Sequence, residues 1–172
     1  MRLAIVSDTH MPKVERTLPA ACVAELRAAD LIVHAGDFVR APVLEQLRSY
    51  GEVAAVHGNV DEPALRAELP AVLELELRAA GAGAGAAPVR LAIVHDAGPR
   101  VGRMARMRRR FPHADAVVFG HSHIPLHEVS DDDGFQLFNP GSPTERRRAP
   151  RHTMGVARIA AGRIGFELVT VG

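Results

Sequence analysis

The chain has 172 residues, 47% of them hydrophobic and 24% charged, with a formal net charge of +1. Such a composition suits one globular domain, 1–172, that buries its own core, and it excludes an intrinsically disordered chain. Apolar runs such as Leu3–Val6 fall far short of a membrane span, the N-terminal stretch is too short for a signal peptide, and the near-neutral balance implies no bulk attraction to nucleic acid or anionic lipid, so the sequence reads as cytoplasmic.

In chain order, Arg2–Val6 reads as a strand that stops at Ser7-Asp8-Thr9-His10. Pro19 is expected to open a helix over Ala20–Ala29, with Val23 and Leu26 at helical spacing. Leu31–His34 is a second strand, stopping at Gly36-Asp37. Pro42–Ser49 follows as a helix with Val43, Leu44 and Leu47 on one face, then Val53–Val56 as a strand stopping at Gly58-Asn59. Strands alternating with helices over short connections imply a parallel sheet. The second half is richer in strands: Ala71–Leu77, Val89–Val94 ending at His95, Ala116–Phe119 ending at Gly120-His121-Ser122-His123, Leu126–Val129, Phe135–Phe138, Thr153–Ala160 and Ile164–Val171. Turn residues join the last four into two hairpins. The Gly/Ala tract at 81–87 reads as a hairpin loop and Pro99–Arg110 as a helix with Val101, Met104, Ala105 and Met107 inward. There is no repeat and no linker.

Cys22 is the only cysteine, which removes a disulfide framework and a cysteine-only zinc site. The polar residues that end the strands are of another kind. Asp8, His10, Asp37, Asn59, His95, His121 and His123 are all metal-competent, and they follow five strands. In an α/β sheet, ligands bind beyond the carboxyl ends of the strands. Taken singly, each is as readily a turn or a solvated pair; five strand ends delivering oxygen or imidazole to one edge is not explained by packing.

With these residues in this order, and with Asn139-Pro140-Gly141-Ser142-Pro143 after them, the sequence resembles the calcineurin-like metallophosphoesterases, and within them the small single-domain YfcE-type phosphodiesterases, which share a fold with the retromer subunit of eukaryotes. The resemblance runs over almost the full length. It implies an α/β fold of two sheets in an α/β/β/α sandwich. It also implies that Asp8, His10 and His123 bind one metal, that Asn59, His95 and His121 bind another, and that Asp37 bridges them. The implied activity is that of a metal-dependent phosphodiesterase, a hydrolase acting on ester bonds, in which a metal-bridging hydroxide attacks a small phosphodiester substrate and Asp37, Asn59 and His95 carry the catalytic centre. Mixed Asp/Asn/His ligation suits two divalent ions, manganese first, with iron, zinc or nickel as alternatives.

Two departures stand out. Val60 follows Asn59, where many family members have a histidine that protonates the leaving group; the small subgroup commonly lacks it. Asp96-Ala97 follows His95, where relatives often read Gly-His. His57 is a further catalytic candidate because it lies near the phosphate edge, although, like His34, its plainer reading is a hydrogen-bonded strand-end residue. His113, His127 and His152 read as surface residues. The six arginines of 100–110 read as a solvated face and those of 146–151 as mostly solvated, with one reaching a substrate phosphate. No aromatic residues interleave with them, so a nucleic-acid partner is not favoured. Asp131-Asp132-Asp133-Gly134 lacks the calcium-loop pattern and reads as a turn. A homo-oligomer is compatible with the sequence. The rival reading is a non-catalytic protein-interaction scaffold on the same fold, like the retromer subunit, which loss of ligands would favour; all seven positions carry competent ligands.

Overall fold

The computed structural model describes residues 1–11, 16–79 and 87–172. The reading of 81–87 as a loop therefore lies, apart from Ala87, outside the described residues. Among the described residues, ten strands form two five-stranded sheets. The first comprises β1 (Arg2–Val6), β2 (Leu31–His34), β3 (Val53–Ala55), β9 (Thr153–Ala160) and β10 (Arg163–Thr170), in the order β10-β9-β1-β2-β3. The second comprises β4 (Val72–Leu77), β5 (Val89–Val94), β6 (Ala116–Val118), β7 (Leu126–Val129) and β8 (Gln136–Asn139), in the order β4-β5-β6-β8-β7. β1, β2 and β3 run parallel, as do β5, β6 and β8, and antiparallel partners flank both trios.

Burial follows strand alternation. β1 is closed on both faces: Leu3 and Ile5 join Leu31, Val33, Leu91, Ile93, Val118 and Phe138 between the sheets, while Ala4 and Val6 join the helices outside the first sheet. That outer layer is α1 (Ala20–Arg27), α2 (Ala41–Arg48) and α3 (Pro63–Glu68), which contribute Cys22, Leu26, Val43, Leu44, Leu47 and Leu65. A third cluster packs α4 (Arg103–Arg110) on the outside of the second sheet through Met107. The result is the expected α/β/β/α sandwich, with both parallel trios buried as parallel strands require. The two-residue turn Ala161-Gly162 has φ of +50° and +71°, the twist that a tight hairpin between β9 and β10 needs.

Where the structure differs from the sequence reading, a local reason is visible. α3 is six residues long with one buried side chain, Leu65, too short to show a helical period. Pro19 lies just outside α1, with ψ of 145°. α4 begins at Arg103 rather than Pro99, because Gly98 and Gly102 turn the chain at positive φ; Val101 is 88% exposed and Ala105 also faces solvent, so neither points inward. The arginines of 100–110 are a solvated face only in part: Arg100, Arg109 and Arg110 are exposed, but Arg103, Arg106 and Arg108 are half-buried. Arg103 and Arg106 donate to the carbonyls of Ala97, Gly98 and Pro99, and Arg108 pairs with Asp133 at 2.7 Å and lies over the Phe135 ring. A loop with no ladder partners for its carbonyls recruits these donors instead.

Phe138 ties the sheets together. Its ring stacks on Phe166 of β10 at 4.5 Å and lies so close over β9 that a Cβ on Gly155 would meet it at 2.3 Å. Phe138→Ala is expected to lower unfolding free energy by about 3–5 kcal/mol, measured by urea denaturation.

Candidate metal centre

The carboxyl ends of the six parallel strands lie on one edge, and the polar residues that follow them meet there. Two groups of side chains each bring their donor atoms within 4.8 Å of one another: Asp8, His10 and His123, and Asp37, His95 and His121. Asn59 Oδ1 joins the second group, 3.0 Å from both His95 Nε2 and His121 Nδ1. Asp37 Oδ2 stands 3.2 Å from His95 Nε2 and 3.4 Å from His10 Nε2, so one carboxylate touches both groups. All seven residues singled out in the sequence are thus brought together, Asp8, His10 and His123 on one side and Asn59, His95 and His121 on the other, with Asp37 near both. The first group is buried; the second opens to solvent through Asn59 and His121.

The backbone is strained to achieve this. Asp8, His10, Asp37, His121 and His123 all have φ between +45° and +66°. Non-glycine residues there cost about 1–3 kcal/mol each and persist only where the surroundings over-determine them. Glycines permit the close approach: a Cβ on Gly58 would lie 2.0 Å from Asp37 Oδ1, and one on Gly120 would lie 2.7 Å from Asp8 Oδ2.

The donor set fits cations. His123 Nδ1 donates to the Glu145 carbonyl, and His10 Nδ1 lies 3.1 Å from the Glu145 carboxylate. Their Nε2 atoms are buried without a hydrogen-bond partner and face carboxylates: His123 Nε2 is 3.4 Å from Asp8 Oδ1. His95 likewise gives Nδ1–H to the Ala35 carbonyl at 2.8 Å, leaving Nε2 to the cluster. Buried lone pairs facing carboxylate oxygens are repulsive unless a positive charge lies between them. Imidazoles oriented through the other ring nitrogen are the usual dress of metal-ligating histidine.

Electrostatics differ across the centre. Burial pushes the Asp8 carboxyl up to about 6, against the Ser7 hydroxyl bonded to it. Burial also raises Asp37, but the imidazoles of His10 and His95 and the Val60 N–H outweigh it, leaving the group below the ordinary carboxylate range. Burial brings His123 down to about 4. His95 is raised, because neighbouring Asp37 overcomes the opposing effect of burial.

Two supporting residues were not singled out in the sequence. Asp61 is buried and accepts N–H bonds from Asp37, Val39 and Gly58, at 3.1, 2.7 and 2.7 Å, so one carboxylate holds the loops that carry Asp37 and Asn59. Glu145 holds His10 and His123. Asp61 sits two residues beyond Asn59 and Glu145 three beyond Ser142, but neither belongs to a pattern, since both act on backbone or on histidines distant in sequence. The Asn139-to-Ser142 motif acts as a buckle: Asn139 Nδ2 donates to the Gly120 carbonyl at 2.9 Å and Ser142 Oγ to the Asp8 carbonyl at 2.8 Å.

The other histidines sort by contact. His34 is buried between the Thr9 hydroxyl and the Gly36 N–H, as a strand-end residue should be. His113 and His127 are exposed, whereas His152 is half-buried on the Pro143 carbonyl, because its loop returns beneath the buckle. His57 lines a groove of about 380 Å³ beside the second group, with Asn59, Arg66, Asp96 and Arg110. Asp96 caps its own turn by accepting the Gly98 N–H at 2.6 Å.

Residues 1–162 match the profile of the calcineurin-like phosphoesterase superfamily domain. The whole chain is 30% identical to a protein of Methanothermobacter thermautotrophicus described as a probable metallophosphoesterase, covering 94% of it. Among solved structures, Vps29 of Chaetomium thermophilum is similar with a TM-score of 0.75 at 14% identity, each chain covered in full. A structure described as a novel archaeal phosphodiesterase is similar with a TM-score of 0.69 at 19% identity, over 98% of this chain and 100% of that one. At such identities the last two establish the fold alone.

Metal loading of this centre is expected to weaken as pH falls through about 6, where Asp8 takes up a proton. His95, whose protonated form is favoured by Asp37, adds a second competing proton, whereas His123 adds none until about 4. Affinity should therefore drop about tenfold per pH unit for each proton displaced. Calorimetric titration in buffers of different ionisation enthalpy counts those protons.

Proposed function

The chain belongs to the calcineurin-like phosphoesterase superfamily, and from that premise we propose that it is a dinuclear metal-dependent phosphodiesterase. The observation that carries the reading is the position of Asp37, whose Oδ2 is within 3.4 Å of an imidazole from each donor group. In this reading Asp8, His10 and His123 hold one divalent ion, Asn59, His95 and His121 hold the other, and Asp37 is shared. Manganese, iron, zinc and nickel all suit this ligand set, manganese being the first choice. When bound, two such ions bring positive charge to a phosphoryl group and lower the pKa of water to near 7.

The chain's own residues do the rest. Asp61 keeps Asp37 and the Asn59 loop in register. The groove beside Asn59 and His121 receives the substrate, and His57 lines its wall. No helix among the described residues is long and apolar enough to cross a membrane, and the free cysteine is buried; both suit a small cytoplasmic hydrolase. The scaffold reading has fold similarity behind it but no observation at this centre.

The test is metal content and turnover together. Protein reconstituted with manganese should hold two ions per chain and hydrolyse a chromogenic aryl phosphodiester. Asp37→Ala should abolish both properties, and Asn59→Ala should reduce them less, since an amide serves one ion and carries no charge. Metal-loaded protein without turnover of phosphodiesters or phosphomonoesters would favour the scaffold.

Leaving-group dependence follows from Val60. It is 42% exposed, its N–H donates to Asp37 Oδ1 at 3.0 Å, and its side chain offers no proton. Aryl, enol or strained cyclic diesters should turn over much faster than alkyl diesters. Val60→His should raise rates on poor leaving groups selectively, within the roughly 10²–10⁴-fold that general acid catalysis contributes. A rate series against leaving-group pKa checks both expectations.

A further inference from the structure

We infer that Glu145 is a positioning residue that sets the tautomer of both histidines in the first donor group, and with it the affinity of one metal position and not the other. The inference rests on the dinuclear reading above.

The geometry is specific. Glu145 Oε2 lies 3.1 Å from His10 Nδ1, and the Glu145 backbone carbonyl accepts from His123 Nδ1. A carboxylate and a carbonyl can only accept, so each Nδ1 carries the hydrogen and each Nε2 keeps its lone pair. Those two Nε2 atoms are the buried, unpartnered nitrogens that face Asp8. One residue thus aims two ligands, by its side chain and by its main chain. It makes no contact of this kind with the second group, where His95 is set by the Ala35 carbonyl instead.

Glu145 is itself held in place. Its N–H donates to Ser142 Oγ at 2.8 Å, and the same hydroxyl donates to the Asp8 carbonyl. Thr144 Oγ1 donates to the Thr9 carbonyl at 2.6 Å. Arg16 donates to Glu145 Oε2 at 2.9 Å, completing a chain from guanidinium to carboxylate to imidazole. The segment 142–145 is therefore fastened along 8–10, and the carboxylate has little freedom to leave His10. Carboxylate partners of this kind fix the ring and raise its basicity as a ligand, and their loss typically costs about 10–100-fold in metal affinity.

The experiment compares wild type, Glu145→Gln and Glu145→Ala by titration of metal-free protein with Mn²⁺, with nitrogen-15 NMR of the histidine rings in the metal-free state. Wild type should bind two ions and show His10 protonated on Nδ1. Glu145→Ala should keep one ion at unchanged affinity, lose about 10–100-fold at the other, and release His10 from the Nδ1–H form. Both variants keep the backbone carbonyl that faces His123, but only Glu145→Gln retains an accepting side-chain oxygen; it should hold the His10 tautomer and show an intermediate loss, so the idea stays testable if alanine unfolds the loop. Two ions bound by Glu145→Ala, or by Glu145→Gln where alanine unfolds the loop, with wild-type affinity at both positions would overturn the role of Glu145 and leave the dinuclear reading standing. A wild-type protein that binds no Mn²⁺ would overturn both.

Discussion

The Asp37 carboxylate is buried at the meeting point of two sheets, with its Oδ2 against His10 and His95 and its Oδ1 against the Val60 N–H. An anion in that position is costly unless every oxygen is answered. The surrounding chain is arranged to answer them. Asp61 takes the N–H of Asp37 itself, Gly58 leaves room that any side chain would fill, and His10 and His95 arrive from β1 and β5, one strand of each sheet. Moving either sheet would separate the two imidazoles that share this carboxylate. The packing between the sheets is therefore also what sets the geometry of the centre.

Strain and rigidity belong together here. Five of the seven candidate ligands hold positive φ, and local preference alone would relax each of them. They are kept by hydrogen bonds to their main chain and to the loops beside them: the Asn139 and Ser142 buckle, the Asp61 carboxylate, and the Gly36 carbonyl that accepts the Asp8 N–H at 2.9 Å. The three apolar clusters supply the stability that such a rim draws on. Arginine serves the same end at the loops. Arg66 of α3 donates to the carbonyls of Asn59 and Asp61, and Arg103 and Arg106 of α4 gather those of the 97–99 turn beside His95. A guanidinium with five donors can satisfy several carbonyls at once, which a lysine could not do in one plane. Arg66, Arg103 and Arg106 thus brace the loops that carry Asn59 and His95.

All ten strands and all seven donor residues are legible in the sequence, because both have local signatures. Strands such as Leu31–His34 are short apolar runs cut off by polar residues, and the donors sit at those cut-off points by chain order alone. What local pattern could not carry is different in kind. α3 is too brief for a period. Met104 and Met107 pack inward as their spacing predicts, but Val101 and Ala105 face solvent because two glycines at positive φ delay the helix. Asp61 reaches the Asp37 and Val39 amides, and Glu145 the His10 and His123 rings, across more than 20 residues of chain, through groups that have no sequence signature. The sequence by itself determined which residues stand at the ends of which strands, since an apolar run and its polar stop are adjacent in the chain. Only the tertiary structure decided which nitrogen of each histidine faces the centre and which carboxylate holds it there, since those choices are made by hydrogen bonds between segments that meet only when the two sheets have packed.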